Sequence, residues 1–293
     1  MFRNNKINKN ITKPIIIVSC NRSGSTLLFR NLSLHPALWS LYIESNYIFY
    51  KYFFSDLENG DMIKLDPCIS NIDHILSDFY KDAHNKEFFK KNQFLKVVPT
   101  KIFQRKLNFF YKSKSIRLVE KTPGNCFRIP LIDLIFPDAK YILLIRKPED
   151  VISSLMEGWK VWSNTYNDKW TYSSWHYVKP PGWKKLKNKP LHEICAYQWV
   201  FSLKYATADL EKYCSERYLV VKHEELISNT FEKYLQILDF CDLDRDEYFL
   251  KNINKSIYTS KGSLPKHDKW KTMHKKEIES VKHIFEPIKE IFY

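Results

Sequence analysis

Two short segments of this 293-residue chain put donors where an anion can be held. The first is Asn21-Arg22-Ser23-Gly24-Ser25-Thr26. It follows a β-branched apolar run, Ile15–Cys20, and precedes Leu27–Leu34, which is apolar at helical spacing. A strand that turns directly into a helix aims free N–H groups at one point, and the helix dipole adds positive potential there. Gly24 lets the backbone approach a guest closely. Ser23, Ser25 and Thr26 add hydroxyl donors, and Arg22 adds a charged fork. Every group donates, so the fitting guest is a phosphate or a sulfate. The loop is not GxxxxGKS/T, because no Lys precedes the Ser/Thr pair, and this disfavours an ordinary kinase or NTPase. Taken alone, the same residues also suit a plain N-cap at Ser23 or Ser25 with Arg22 on the surface.

The second segment is Arg146-Lys147-Pro148, after the apolar run Tyr141–Ile145. Pro148 followed by Glu149 and Asp150 is a helix start. Arg146 therefore sits at the carboxyl end of a strand, where open α/β sheets bind ligands. Ser154 lies two turns along the helix, on a face that can turn back toward Arg146. An Arg and a Ser hydroxyl can hold a second phosphate; a surface Arg and a packed Ser are the alternative.

These segments need a scaffold of strands and helices. Ile15–Cys20, Ile116–Glu120, Tyr141–Ile145 and Tyr218–Lys222 read as buried parallel strands. Helical patterns cover about 124–136, 148–157, 191–214 and 231–240, with further helices over 46–55, 70–91 and Lys275–Phe292. Strands alternating with helices imply an α/β fold with a mainly parallel central sheet flanked by helices. Residues 1–13 read as a flexible basic tail and 14–293 as one domain. Residues 158–190 fit neither period and carry Trp159, Trp162, Trp170, Trp175 and Trp183. Such a loop reads as a substrate wall or lid, or as aromatics packed on the core.

The paired segments resemble the sulfotransferase superfamily, which uses 3′-phosphoadenosine-5′-phosphosulfate (PAPS) as donor. In that family an RSGTT-type strand–loop–helix binds the 5′-phosphosulfate, and an Arg with a Ser eight residues on binds the 3′-phosphate. The corresponding residues are Arg22–Thr26, Arg146 and Ser154. EKTPGN at 120–125, the stretch Arg128–Leu155, YLVVKHEEL at 218–226 and Lys269–Trp270 resemble the bacterial, tyrosylprotein and heparan-sulfate branches. His223 stands where Tyr is usual.

The resemblance implies a P-loop-like sulfotransferase fold and an enzyme moving a sulfuryl group from PAPS to an acceptor hydroxyl, with adenosine 3′,5′-bisphosphate (PAP) as product and no metal. It implies Glu44, in LYIESN, as the base, with His176, His192 and Glu193 as weaker candidates. Lys121 is implied as the cation facing the transferring group, and Arg22, with Ser25 and Thr26, in stabilising the charge of the transfer as well as in binding. Arg22, Ser23, Gly24, Ser25, Thr26, Arg146, Ser154 and Lys269 are implied in donor binding, with Ser256–Ser263 closing over the 3′-phosphate. Glu44 as a helix cap and Lys121 as a surface lysine are the alternatives. The expected acceptor is a carbohydrate or glycolipid hydroxyl, with a small natural product second and a tyrosyl peptide third. Lysines 179, 184, 185, 187 and 189 favour an anionic acceptor.

Composition agrees with an anionic partner. The net charge is +14, and only nine of the 47 basic residues are Arg. A basic surface attracts nucleotides, nucleic acid, anionic glycans or membranes, so peripheral membrane contact is allowed. No nucleic-acid module appears, so nucleic acid is not expected as a partner. The remaining rival is a nucleotide-binding protein or kinase with a degenerate phosphate loop. GxGxxG is absent, and the six Cys have no CxxC spacing, so neither a dinucleotide loop nor a zinc site is expected. Apolar runs fall far short of the ~18–20 residues of a membrane span, and the polar N-terminus is no secretory signal, so a cytoplasmic protein is expected.

Overall fold

The computed structural model describes residues 11–41, 44–53, 59–63, 65, 69–84, 117–163, 175–253 and 268–293. Its centre is a sheet of five strands: β1 (Ile15–Val18), β2 (Leu38–Ser40), β3 (Arg117–Lys121), β4 (Lys140–Ile145) and β5 (Tyr218–Lys222). The order is β2-β3-β1-β4-β5, and every pairing is parallel. The register sets Ile17 beside Lys121 and Ile142, and Val18 beside Leu143. Consequently the carboxyl ends of β1, β3 and β4 share one edge. The residues that follow them, Asn21–Gly24, Thr122 and Arg146, meet there.

The central strands are covered on both faces, which is why they are continuously apolar. Ile16, Val18, Leu143 and Ile145 face a core shared with α5 (Pro148–Ser163) and α6 (Leu191–Cys214), through Val151, Leu155, Trp199 and Leu203. Ile15, Ile17, Ile142 and Leu144 face the other core, built from α1 (Ser25–Leu32), α7 (His223–Ser228) and α8 (Thr230–Phe240). The other helices are α2 (Asn46–Phe53), α3 (Ile72–His84), α4 (Ile129–Ile135), α9 (Glu247–Ile253), α10 (Trp270–Met273), α11 (Lys275–Ser280) and α12 (Lys282–Phe292). Among the described residues no helix is long and apolar enough to cross a membrane.

Several boundaries differ from the sequence reading. β2 is a three-residue strand, too short for a periodic signal, and α7 and α9 are likewise short. The helix expected over 124–136 is a 3-10 turn, Pro123–Phe127, followed by α4. It restarts at Arg128 because Pro130 is tolerated only in a first turn. The single helix expected over Lys275–Phe292 is divided at Val281, where φ is −105°. α5 runs to Ser163, so 158–163 is helical rather than loop. Ile11 is buried and the Lys13 amide bonds Asp138, so the end of the expected tail is packed down.

Candidate active site

The turn after β1 is locally strained. Arg22 has φ +67°, a left-handed conformation that costs a non-glycine residue about 1–2 kcal/mol. Two long-range contacts hold it there. Arg22 Nε donates to Ser154 Oγ at 3.0 Å, and Arg146 Nη1 donates to the Arg22 carbonyl at 3.3 Å. The two segments singled out by spacing thus meet through Arg22, while Arg146 and Ser154 share no hydrogen bond among the described residues. Gly24 has φ +91° and lies against the buried His223 ring; a Cβ here would stand 2.3 Å from His223 Cδ2. A side chain at 24 would therefore meet both backbone strain and a fixed neighbour. Gly24 is also the N-cap of α1, with no side-chain cap, so Ser23 and Ser25 are not capping hydroxyls. Both are buried, while Arg22 and Thr26 are exposed.

Arg146 is held from behind. Its carbonyl accepts Trp199 Nε1 at 3.1 Å, and its Nη2 stands 3.7 Å from Asp150 Oδ2. The side chain is 14% exposed, and its Nε is buried without a hydrogen-bond partner among the described residues. An orphaned guanidinium N–H of this kind is costly unless a guest satisfies it. Asp150 also accepts the Asp268 amide at 3.1 Å. One carboxylate therefore links Arg146 to the start of α10, where Lys269 is exposed. Ser256–Ser263 lies outside the described residues.

Glu44 and Lys121 form an ion pair, Lys121 Nζ to Glu44 Oε1. Lys121 ends β3 and is buried, whereas the Glu44 side chain is 38% exposed. Lys121 is thus a buried cation rather than a surface lysine. Their chain neighbours are locked in parallel. Glu120 accepts hydrogen bonds from Ser45 Oγ, Thr122 Oγ1 and Asn125 Nδ2, and the Ser45 amide donates to Thr122 Oγ1 at 2.8 Å. Burial pushes the Glu120 carboxyl above its usual range, and the Thr122 and Ser45 hydroxyls pull it back.

Glu44 opens onto a cavity of about 310 Å³, whose lining includes Asn21, Asn46, Tyr50, Trp175, His176 and Tyr177. Burial lowers the His176 pKa, which favours the neutral ring. Of the other candidate bases, Glu193 pairs with Lys189 at 2.7 Å, and neither it nor His192 lines the cavity. Behind the lining, Arg128 is completely buried. It donates Nε to the Asp61 carbonyl, Nη2 to Asp61 Oδ1 and Nη1 to Asn46 Oδ1. Sequence reading missed this network. Its available signal was the scarcity of Arg, which marks positions needing a planar fork. The described aromatics of 158–190 serve partly as core: Trp159, Trp175 and Trp183 are buried and stack edge to face at 5.4 and 5.2 Å. Residues 164–174, Trp170 included, lie outside the described residues.

Comparison with known proteins agrees with this layout. The chain is similar to the sulfotransferase domain of the curacin biosynthetic pathway, with 18% identity over 94% of this chain and 98% of that one, at a TM-score of 0.55. It is similar to sulfotransferase STF9 from Mycobacterium avium, with 13% identity over 98% and 78% of the two chains, at a TM-score of 0.57. Sulfotransferase STF1 from Mycobacterium tuberculosis H37Rv shares 16% identity over 95% and 78%, at 0.51. These likenesses are of fold. No curated protein matches the sequence. The sulfotransferase family model matches residues 14–247, which span all five strands, the loop after β1 and the Glu44–Lys121 pair. By that match this chain belongs to the sulfotransferase family, and the reaction it catalyses is sulfuryl transfer.

Proposed function

We propose that the enzyme takes its sulfuryl group from PAPS and delivers it to a hydroxyl of a carbohydrate. The observation that carries the donor assignment is the junction at Arg22. It joins a glycine-containing loop at a helix N-terminus to Arg146, whose buried Nε has no hydrogen-bond partner among the described residues. Two anion-holding groups at one sheet edge fit a nucleotide with phosphates at both ends. In this reading Arg22, Ser23, Gly24, Ser25 and Thr26 hold the phosphosulfate. Arg146 and Ser154 hold the 3′-phosphate, with Lys269 adding charge beside it. The tyrosine and tryptophan faces in the Glu44 cavity support a sugar ring as acceptor.

The chemistry follows from the Glu44–Lys121 pair. Glu44 takes the proton from the acceptor hydroxyl as its oxygen bonds to sulfur. The bond between sulfur and the 5′-phosphate oxygen breaks, and its electron pair leaves on that oxygen. Lys121 and the donors around Arg22 stabilise the charge that develops there. In the free enzyme Lys121 and Glu44 neutralise each other; substrate binding redirects the ammonium toward the departing phosphate.

Thermal melting tests the donor. A ligand at ~100 times its Kd stabilises by roughly 2.7 kcal/mol, several degrees for a protein of this size. PAP is expected to give that shift, and ADP and Mg–ATP much smaller ones. A shift with Mg–ATP and none with PAP would overturn the assignment of PAPS as donor.

A further inference from the structure

We propose that the cavity beside Glu44 selects an uncharged polyol and rejects anionic acceptors, a proposal that rests on the sulfotransferase reading of this site. Its polar groups are already partly committed, and what remains defines the guest. Asn21 Oδ1 accepts the Val178 amide at 3.1 Å, and Asn46 Oδ1 accepts Arg128 Nη1 at 2.7 Å. These partners fix both amide orientations and leave the Nδ2 N–H groups as the donors that remain. Asp61 is largely committed: it accepts Tyr50 OH, Arg128 Nη2 and the Lys179 amide, at 3.1, 3.2 and 2.8 Å. Its charge is already met by the buried Arg128 guanidinium. Glu44 has one oxygen on Lys121, and its Oε2 takes no hydrogen bond from the described residues.

The cavity therefore offers two amide donors, one carboxylate oxygen, the His176 ring and aromatic walls. That set matches a ring hydroxyl donating to Glu44 while neighbouring ring oxygens accept from Asn21 and Asn46. Among the described lining residues none is Lys or Arg, while two are carboxylates. A carboxylate or sulfate on the acceptor would lose its water there with no cation among the described lining residues to replace it, since Lys121 and Arg128 behind the lining are already paired with Glu44 and Asp61. The lysines expected to attract an anionic acceptor are spent elsewhere. Lys179 and Lys187 lie over the Trp183 ring at 5.7 and 4.8 Å, Lys189 pairs with Glu193, and Lys184 and Lys185 are exposed outside the cavity.

The test uses the whole enzyme, PAPS and three p-nitrophenyl β-glycosides: glucoside, xyloside and glucuronide. The xyloside lacks C6 and so separates loss of a hydroxyl from gain of a charge. Transfer to the glucoside and xyloside is expected to exceed transfer to the glucuronide on the order of 100-fold in kcat/KM. Asn46→Asp keeps the acceptor that Arg128 needs but removes the donor. It is expected to lower kcat/KM on the neutral glycosides about 10-fold, with the PAP melting shift unchanged. Equal use of the glucuronide, or an Asn46→Asp enzyme as active as wild type, overturns the proposal. So does a PAP shift with no transfer to any of the three. Absence of the PAP shift overturns both this proposal and the donor reading beneath it.

Discussion

Glu44→Gln is expected to slow sulfuryl transfer ~10²–10⁴-fold, the usual contribution of a positioned general base. The amide keeps the shape of the side chain and an oxygen for Lys121, so the loop that carries it should stay in place. What it loses is the ability to take a proton. Gln keeps a hydrogen bond to buried Lys121 but not its counter-charge, so the melting temperature is expected to fall, while PAP affinity should change little. Rates measured at saturating acceptor separate this from a binding effect: kcat should fall and the KM for PAPS should hold. A variant that matches wild-type turnover would remove Glu44 from the chemistry and move attention to His176, the other candidate base in the cavity.

Arg146→Ala is the second large effect. Charge-assisted hydrogen bonds contribute ~1.5–3 kcal/mol each, so losing the guanidinium should weaken PAP binding about 100-fold. The informative comparison is with AMP, which lacks the 3′-phosphate. AMP affinity should hold within a few-fold, so the variant binds PAP little better than AMP. The carbonyl of residue 146 still accepts Trp199 Nε1, and this backbone anchor keeps β4 and α6 together. Calorimetric titration of both ligands reads the difference. Equal losses for PAP and AMP would mean that Arg146 acts only by holding the Arg22 turn. No loss for either would end its assignment to the 3′-phosphate.

Much of this site was legible because its chemistry is carried by short segments next to strong strands. Ile15–Val18 and Tyr141–Ile145 are apolar on both faces, so the strand ends that Arg22 and Arg146 follow could be read from the sequence. Glu44, Lys121 and Lys269 came only from resemblance, since nothing local distinguishes them from other acids and lysines. The Glu44–Lys121 ion pair joins residues 77 apart in sequence, across two elements. The supporting groups were barely legible. Asp150, Glu120, Trp199 and the Arg128–Asp61 pair act by buried contacts, and a sequence shows their types but not their partners. The aromatic segment was ambiguous for a related reason: a buried Trp and a ligand-facing Trp have the same composition. Trp175 packs on Trp159 and Trp183 and also lines the cavity.

The most direct measurement is transfer of label from [35S]PAPS to a neutral glycoside, followed by chromatography of the products, with and without EDTA. Label is expected on the glycoside, with equimolar PAP and a rate that EDTA leaves unchanged. Label that stays in PAPS, or leaves only as inorganic sulfate, would contradict the proposed transfer.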